Sequence, residues 1–97
     1  MKKESTYYYK NTNSGGEAFE LASNALINAQ SNNLFPVKVD FEVDRSMKVI
    51  EGRGKGFGVK LSFSDSSVDI YVDLSFMLKP IKGKIINGIE SELKKYL

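Results

Sequence analysis

The chain contains no cysteine, no histidine and no tryptophan. Without cysteine there is neither a disulfide framework nor a thiolate zinc site. Without histidine, the commonest general base near neutral pH and the commonest transition-metal ligand are both missing. Proline occurs only twice, so few elements are interrupted by it. No apolar run approaches the ~20 residues needed to span a bilayer, and no transmembrane segment is expected. The N-terminal MKKESTYYYK has charge but no apolar stretch of the kind a secretory signal requires. The expectation is a cytoplasmic protein.

What is there fits one small folded unit. The 97 residues, 41% hydrophobic and 27% charged, predict a single domain over residues 1–97. At this size folding buries roughly 60–70% of the unfolded chain's surface, enough for one core and little else. The net charge of +2 and a pI near 8.8 are mildly basic. They fall short of the dense basic face of a dedicated nucleic-acid binder.

Residues 1–5 read as a frayed polar tail, and Thr6–Lys10, with Tyr7, Tyr8 and Tyr9, as a short first strand. Ser14 followed by Glu17 fits a capping box opening a helix that runs to about Gln30. Ala18, Phe19, Leu21, Ala22, Ala25, Leu26 and Ala29 share one arc of roughly 160°. The periodicity then changes to two. Phe35–Val43, Met47–Gly54, Phe57–Ser64 and Val68–Phe76 read as four strands joined by short turns, an antiparallel meander. In the last strand Val68, Ile70, Val72, Leu74 and Phe76 point inward, against Asp69, Tyr71, Asp73 and Ser75. Pro80 suits a helix start, and Ile81, Ile85, Ile86, Ile89, Leu93, Tyr96 and Leu97 form the apolar arc of the final helix. The fold class is α+β, in the order β-α-β-β-β-β-α. A curved antiparallel sheet carries two amphipathic helices on one face. This order is like the TATA-binding-protein fold, an analogy of fold that carries no function.

The most unusual stretch is the run Gly52, Gly54, Gly56 and Gly58, interleaved with Arg53, Lys55 and Phe57. Its plainest reading is a bend, bulge or tight turn that shapes the sheet. The functional reading is a groove where missing side chains admit a ligand. A phosphate-binding P-loop is disfavoured, because Gly54-Lys55 is followed by Gly56 and more strand rather than by Ser or Thr and a helix. Arg53, Lys55, Lys48, Lys60 and Lys38 could meet phosphates, as in single-strand binders. Those binders stack bases on exposed aromatics, and only Tyr71 is expected on the solvent face. Asp40, Glu42, Asp69 and Asp73 share that face and would repel a phosphate chain.

Asp69 and Asp73 lie about 13 Å apart along one strand, beyond the ~5–9.5 Å of a glycosidase pair. A metal site built from these four carboxylates is not expected. The serines in turns lack an activating base. The entry to the last helix groups Lys79, Lys82 and Lys84 beside an apolar loop, Phe76-Met77-Leu78. Its bland reading is a solvated helix start, and its functional reading is a surface or partner docking site.

From Phe57 to Leu97 the sequence resembles the small bacterial family described as putative polyhydroxyalkanoic acid system proteins, from the storage-granule gene region. The resemblance rests on VKLSFSDSSVDIYVDLSFMLKPIKGKI, in which Pro80, Lys82, Gly83, Lys84 and Ile85 form the most specific motif, and on the closing INGIESELKKYL. Glu17-Ala18 also fits. The family tends to carry a histidine between the first strand and first helix, where this chain has Asn11 and Asn13. The resemblance implies association with storage-granule polyester metabolism, and it carries over no catalytic residues and no cofactor. The leading expectation is a non-enzymatic accessory protein binding a polyester granule surface, or a granule protein on it, through Met77, Leu78, Lys79, Lys82 and Lys84. The alternatives are a small hydrophobic-ligand domain, with a ligand held between sheet and last helix near Gly52–Gly58, and a weak nucleic-acid module, which the acidic residues argue against. Unpaired edge strands leave a homodimer open.

Overall fold

A computed structural model describes residues 3–10, 14–31 and 39–97, with side chains described for all of these except 26–31 and 96. The elements are β1 (Lys3–Tyr8), α1 (Gly15–Ser31), β2 (Asp40–Asp44), β3 (Val49–Gly54), β4 (Phe57–Phe63), β5 (Ser67–Leu74), a 3-10 turn (Lys79–Ile81) and α2 (Lys82–Tyr96). The five strands form one antiparallel sheet in the order β1-β5-β4-β3-β2. The expected order of elements is therefore present. The expectations at Asn11, Asn13, Phe35, Val37 and Lys38, and for the side chains of Leu26 and Ala29, lie outside the described residues.

The period-two pattern places one face of the sheet inward. Cross-strand partners share a face, so Ile50, Leu61 and Ile70 form one buried row, and Val59 and Val72 another. Both helices cover this face: Ala18, Phe19 and Ala22 of α1 and Ile85, Ile89 and Leu93 of α2 join the same core. Fully burying one such aliphatic side chain contributes about 1.5–3 kcal/mol. The Phe19 ring meets Phe63 edge-on, with centroids 5.6 Å apart. Small residues let α1 approach closely. A Cβ on Gly15 would fall 2.5 Å from the Ser64 carbonyl oxygen, so the first turn of α1 sits directly on the β4–β5 turn. The expected cap is present, the Glu17 amide donating to Ser14 Oγ at 3.2 Å.

Several boundaries differ from the sequence reading. The strand β1 begins at Lys3, not Thr6, and the polar tail is largely strand. Its polar residues have distant partners: Glu4 pairs with Lys82 at 2.8 Å, and the Ser5 hydroxyl donates to Glu90. The strand β2 runs from Asp40 to Asp44, with the buried Val39 just ahead of it rather than within it. Met47 belongs to a turn rather than to β3, because the Asp44 carboxylate accepts the amides of Ser46 and Met47, both at 3.1 Å, and the Ser46 hydroxyl at 2.8 Å. These bonds hold Asp44 below the usual carboxylate range. Finally, β5 stops at Leu74, and Phe76 is exposed instead of inward.

Candidate functional site

The end of β5 is set by a chain reversal just beyond its last pair with β4. The strands β3 and β4 are joined by the two-residue loop Lys55-Gly56, with Gly56 at φ +70°, a left-handed value that glycine adopts without steric cost. The Ser75 amide donates to the Gly56 carbonyl at 2.9 Å, and the Ser75 carbonyl accepts the amides of Leu78 at 3.0 Å and Lys79 at 3.1 Å. The chain therefore reverses at Ser75. Phe76 and Met77 stand at the apex, 87% and 85% exposed. Leu78 and Ile81 turn back and pack against the core, anchoring the loop from below.

This arrangement sorts the expected docking residues. Met77 and Lys79 are exposed at the tip, and Lys84 is exposed in the first turn of α2. Leu78 is half-buried and packs against the core. Lys82 is half-buried and held by Glu4, so its charge is already met. The α-helix begins at Lys82, after a 3-10 turn containing Pro80. The hairpin adds two cations that the sequence kept separate from this loop. Arg53 is paired with Glu51 at 3.3 Å. Lys55, Lys79 and Lys84 carry no ion pair among the described residues. Alternation placed Phe76 inward at the end of the last strand, while the same stretch also read as an apolar Phe76-Met77-Leu78 loop, and the structure bears out the exposed loop at Phe76 and Met77.

The four glycines do not share a face, because the turn falls inside the run. Gly52 and Gly54 lie on the inner face, Gly56 in the loop, and Gly58 on the solvent face between Arg53 and Asp73. The room at Gly52 is filled: an added Cβ would lie 2.7 Å from the Phe41 ring and 2.8 Å from Val39 and Val59. The glycines do border a depression of about 410 Å³, which is also lined by Arg53, Asp73 and Ser75. A second depression of about 750 Å³, lined by Glu42, Met47, Val49 and Lys60, lies at the β2–β3 turn.

The rest of the solvent face is mixed in charge. The Lys60 ammonium sits 5.4 Å over the Tyr71 ring, a cation–π contact. Tyr8 joins Tyr71 on this face, a correction that follows from β1 pairing with β5. Asp40 and Glu42 on β2 are separated from Asp69 and Asp73 on β5 by two intervening strands, about 14 Å. Among the described residues, no group of three or more carboxylates could hold a metal ion. No helix among them is long and apolar enough to cross a membrane.

No curated protein matches the chain, and no solved structure does. The family described as "Putative polyhydroxyalkanoic acid system protein" matches residues 17–97. That span includes all but the first two residues of α1, the meander from β2 to β5, the exposed Phe76-Met77 loop and α2. The chain belongs to this polyhydroxyalkanoic acid system protein family.

Proposed function

We propose that this chain is a non-enzymatic accessory protein of the polyhydroxyalkanoate granule system, seated on the polyester surface by its Phe76-Met77 loop. One observation carries the reading. Two large apolar side chains stand side by side at 87% and 85% exposure, on a turn whose ends are tied by three backbone hydrogen bonds. A loop so held loses little conformational freedom on docking. Covering each side chain with polymer would contribute about 1.5–3 kcal/mol. That is a weak, reversible attachment, which many copies on one particle would strengthen. The granule reading brings a cytoplasmic location with it.

Three further features support this over the alternatives. The filled space at Gly52 disfavours a ligand enclosed there between sheet and helix. The carboxylates Asp40, Glu42, Asp69 and Asp73 on the solvent face disfavour a nucleic-acid backbone. Antiparallel self-pairing of two β2 edges would set Asp40, Glu42 and Asp44 of one copy against the acidic residues of the other, which disfavours a homodimer through that edge. The sheet order with both helices on one face supports a TATA-binding-protein-like fold, without bearing on function.

The test is co-sedimentation of the purified chain with lipid-free polyhydroxybutyrate particles. Replacing both Phe76 and Met77 with Ser should abolish recruitment. Recruitment unchanged by the double substitution would sink the proposal.

A further inference from the structure

We infer that the tip recognises an anionic phospholipid interface, Lys55, Lys79 and Lys84 meeting headgroup phosphates while Phe76 and Met77 enter the apolar layer beneath. This deepens the proposed granule attachment and rests on it. A polyester is neutral, so it explains the two apolar side chains and leaves three ammonium groups without a counterpart. The internal carboxylates do not supply one. At this end of the sheet Glu4 holds Lys82 and Glu51 holds Arg53, while Asp40 and Asp73 lie on the solvent face of the strands. Lys55, Lys79 and Lys84 are exposed and without an ion pair among the described residues.

The placement fits an interface. Lys55 reaches the tip from the β3–β4 hairpin and Lys79 from the turn after Met77, brought together by the Ser75–Gly56 bond. Lys84 follows within the first turn of α2. Long lysine stems allow the charges to stay at headgroup level while shorter apolar groups go deeper. Each lysine near an anionic membrane surface strengthens binding about fivefold, so neutralising all three should weaken it roughly 100-fold.

The experiment uses the full chain and two vesicle types, phosphatidylcholine alone and an equal mixture with phosphatidylglycerol. Lipid-free polyester particles are run in parallel. Binding to the phosphatidylglycerol vesicles only, lowered by added salt and lowered about 100-fold in the Lys55→Gln, Lys79→Gln, Lys84→Gln variant, supports the inference. Equal binding to both vesicles, binding to neither, or full binding by the triple variant overturns it. Circular dichroism establishes that the triple variant is folded. If the inference fails while bare polyester particles still recruit the chain, the granule attachment stands and its partner is the polymer itself. If bare particles also fail to recruit it, both readings fall.

Discussion

Ser75 and Gly56 are joined by a backbone hydrogen bond of 2.9 Å, and this bond couples the β3–β4 hairpin to the exposed loop. Gly56 holds φ +70°, and an added Cβ would lie 2.7 Å from Ser75 Oγ. A side chain here therefore meets both a backbone cost, about 1–2 kcal/mol for a left-handed residue, and a contact that pushes on the loop. Gly56→Ala should lower stability by about that amount in urea unfolding. Gly56→Asn should cost less, since Asn tolerates the left-handed region better. Equal stability of Gly56→Ala and the parent would show that the hairpin does not need this conformation.

Gly52 and Gly83 predict opposite outcomes for the same change. At Gly52 a Cβ enters space held by Phe41, Val39 and Val59, so Gly52→Ala should destabilise by about 1–3 kcal/mol through overpacking. At Gly83, in the first turn of α2, nothing lies within 4 Å of an added Cβ. Gly83→Ala should stabilise by about 0.4–1 kcal/mol, chiefly by restricting the unfolded chain. Thermal unfolding of the two variants side by side reads the difference in sign.

The contrast between what alternation revealed and what it missed has one physical origin. Val59, Leu61, Val68 and Ile70 were legible because burial of one sheet face leaves a local, period-two trace. Phe76 continued that trace, and the strand ends before it because the Ser75 carbonyl accepts the amides of Leu78 and Lys79 and turns the chain. The polar start of β1 looked like a tail because Glu4 and Ser5 are satisfied by Lys82 and Glu90 on the last helix. The glycine run was ambiguous for the same reason. Which face each glycine occupies depends on whether the turn falls at Lys55-Gly56, and Gly58 changes side when it does. The Lys79 and Lys84 side of the candidate site was visible as a local cluster. Its junction with Lys55 was not, because sequence spacing does not report which hairpin abuts which loop.

Tyr9 predicts an alkaline signature. Its hydroxyl lies 2.8 Å from the Ser64 carbonyl and 2.7 Å from that of Ser67, holding the end of β1 to the β4–β5 turn. Burial, with the charges of Asp65 and Asp69 adding to it, pushes the phenol up from 10.0 to about 12. The neutral form is therefore favoured by folding. Its stabilisation is fully present below pH 10 and is lost as pH rises from 10 to about 12. Tyr9→Phe should cost about 1 kcal/mol near neutral pH, and the gap between variant and parent should close over that alkaline window. A constant gap up to pH 12 would show that the Tyr9 proton is not part of the contact.

The loop predicts a separation of stability from surface binding. Phe76 and Met77 touch little of their own protein, so Phe76→Ser and Met77→Ser should leave unfolding within about 0.5 kcal/mol of the parent. The neighbouring Leu78 is half-buried against the core, and Leu78→Ala should cost more, about 1–2 kcal/mol for a partly buried site. Recruitment to polyester particles should follow the reverse order. It should be lost in Phe76→Ser with Met77→Ser, and kept in Leu78→Ala at temperatures where that variant remains folded. Adjacent residues of similar hydrophobicity would then behave oppositely in the two assays. That outcome is expected only if the chain reversal at Ser75 directs residues 76 and 77 outward for contact and residue 78 inward for support. A large stability loss in the Phe76 variant would return that residue to the core, where alternation first placed it.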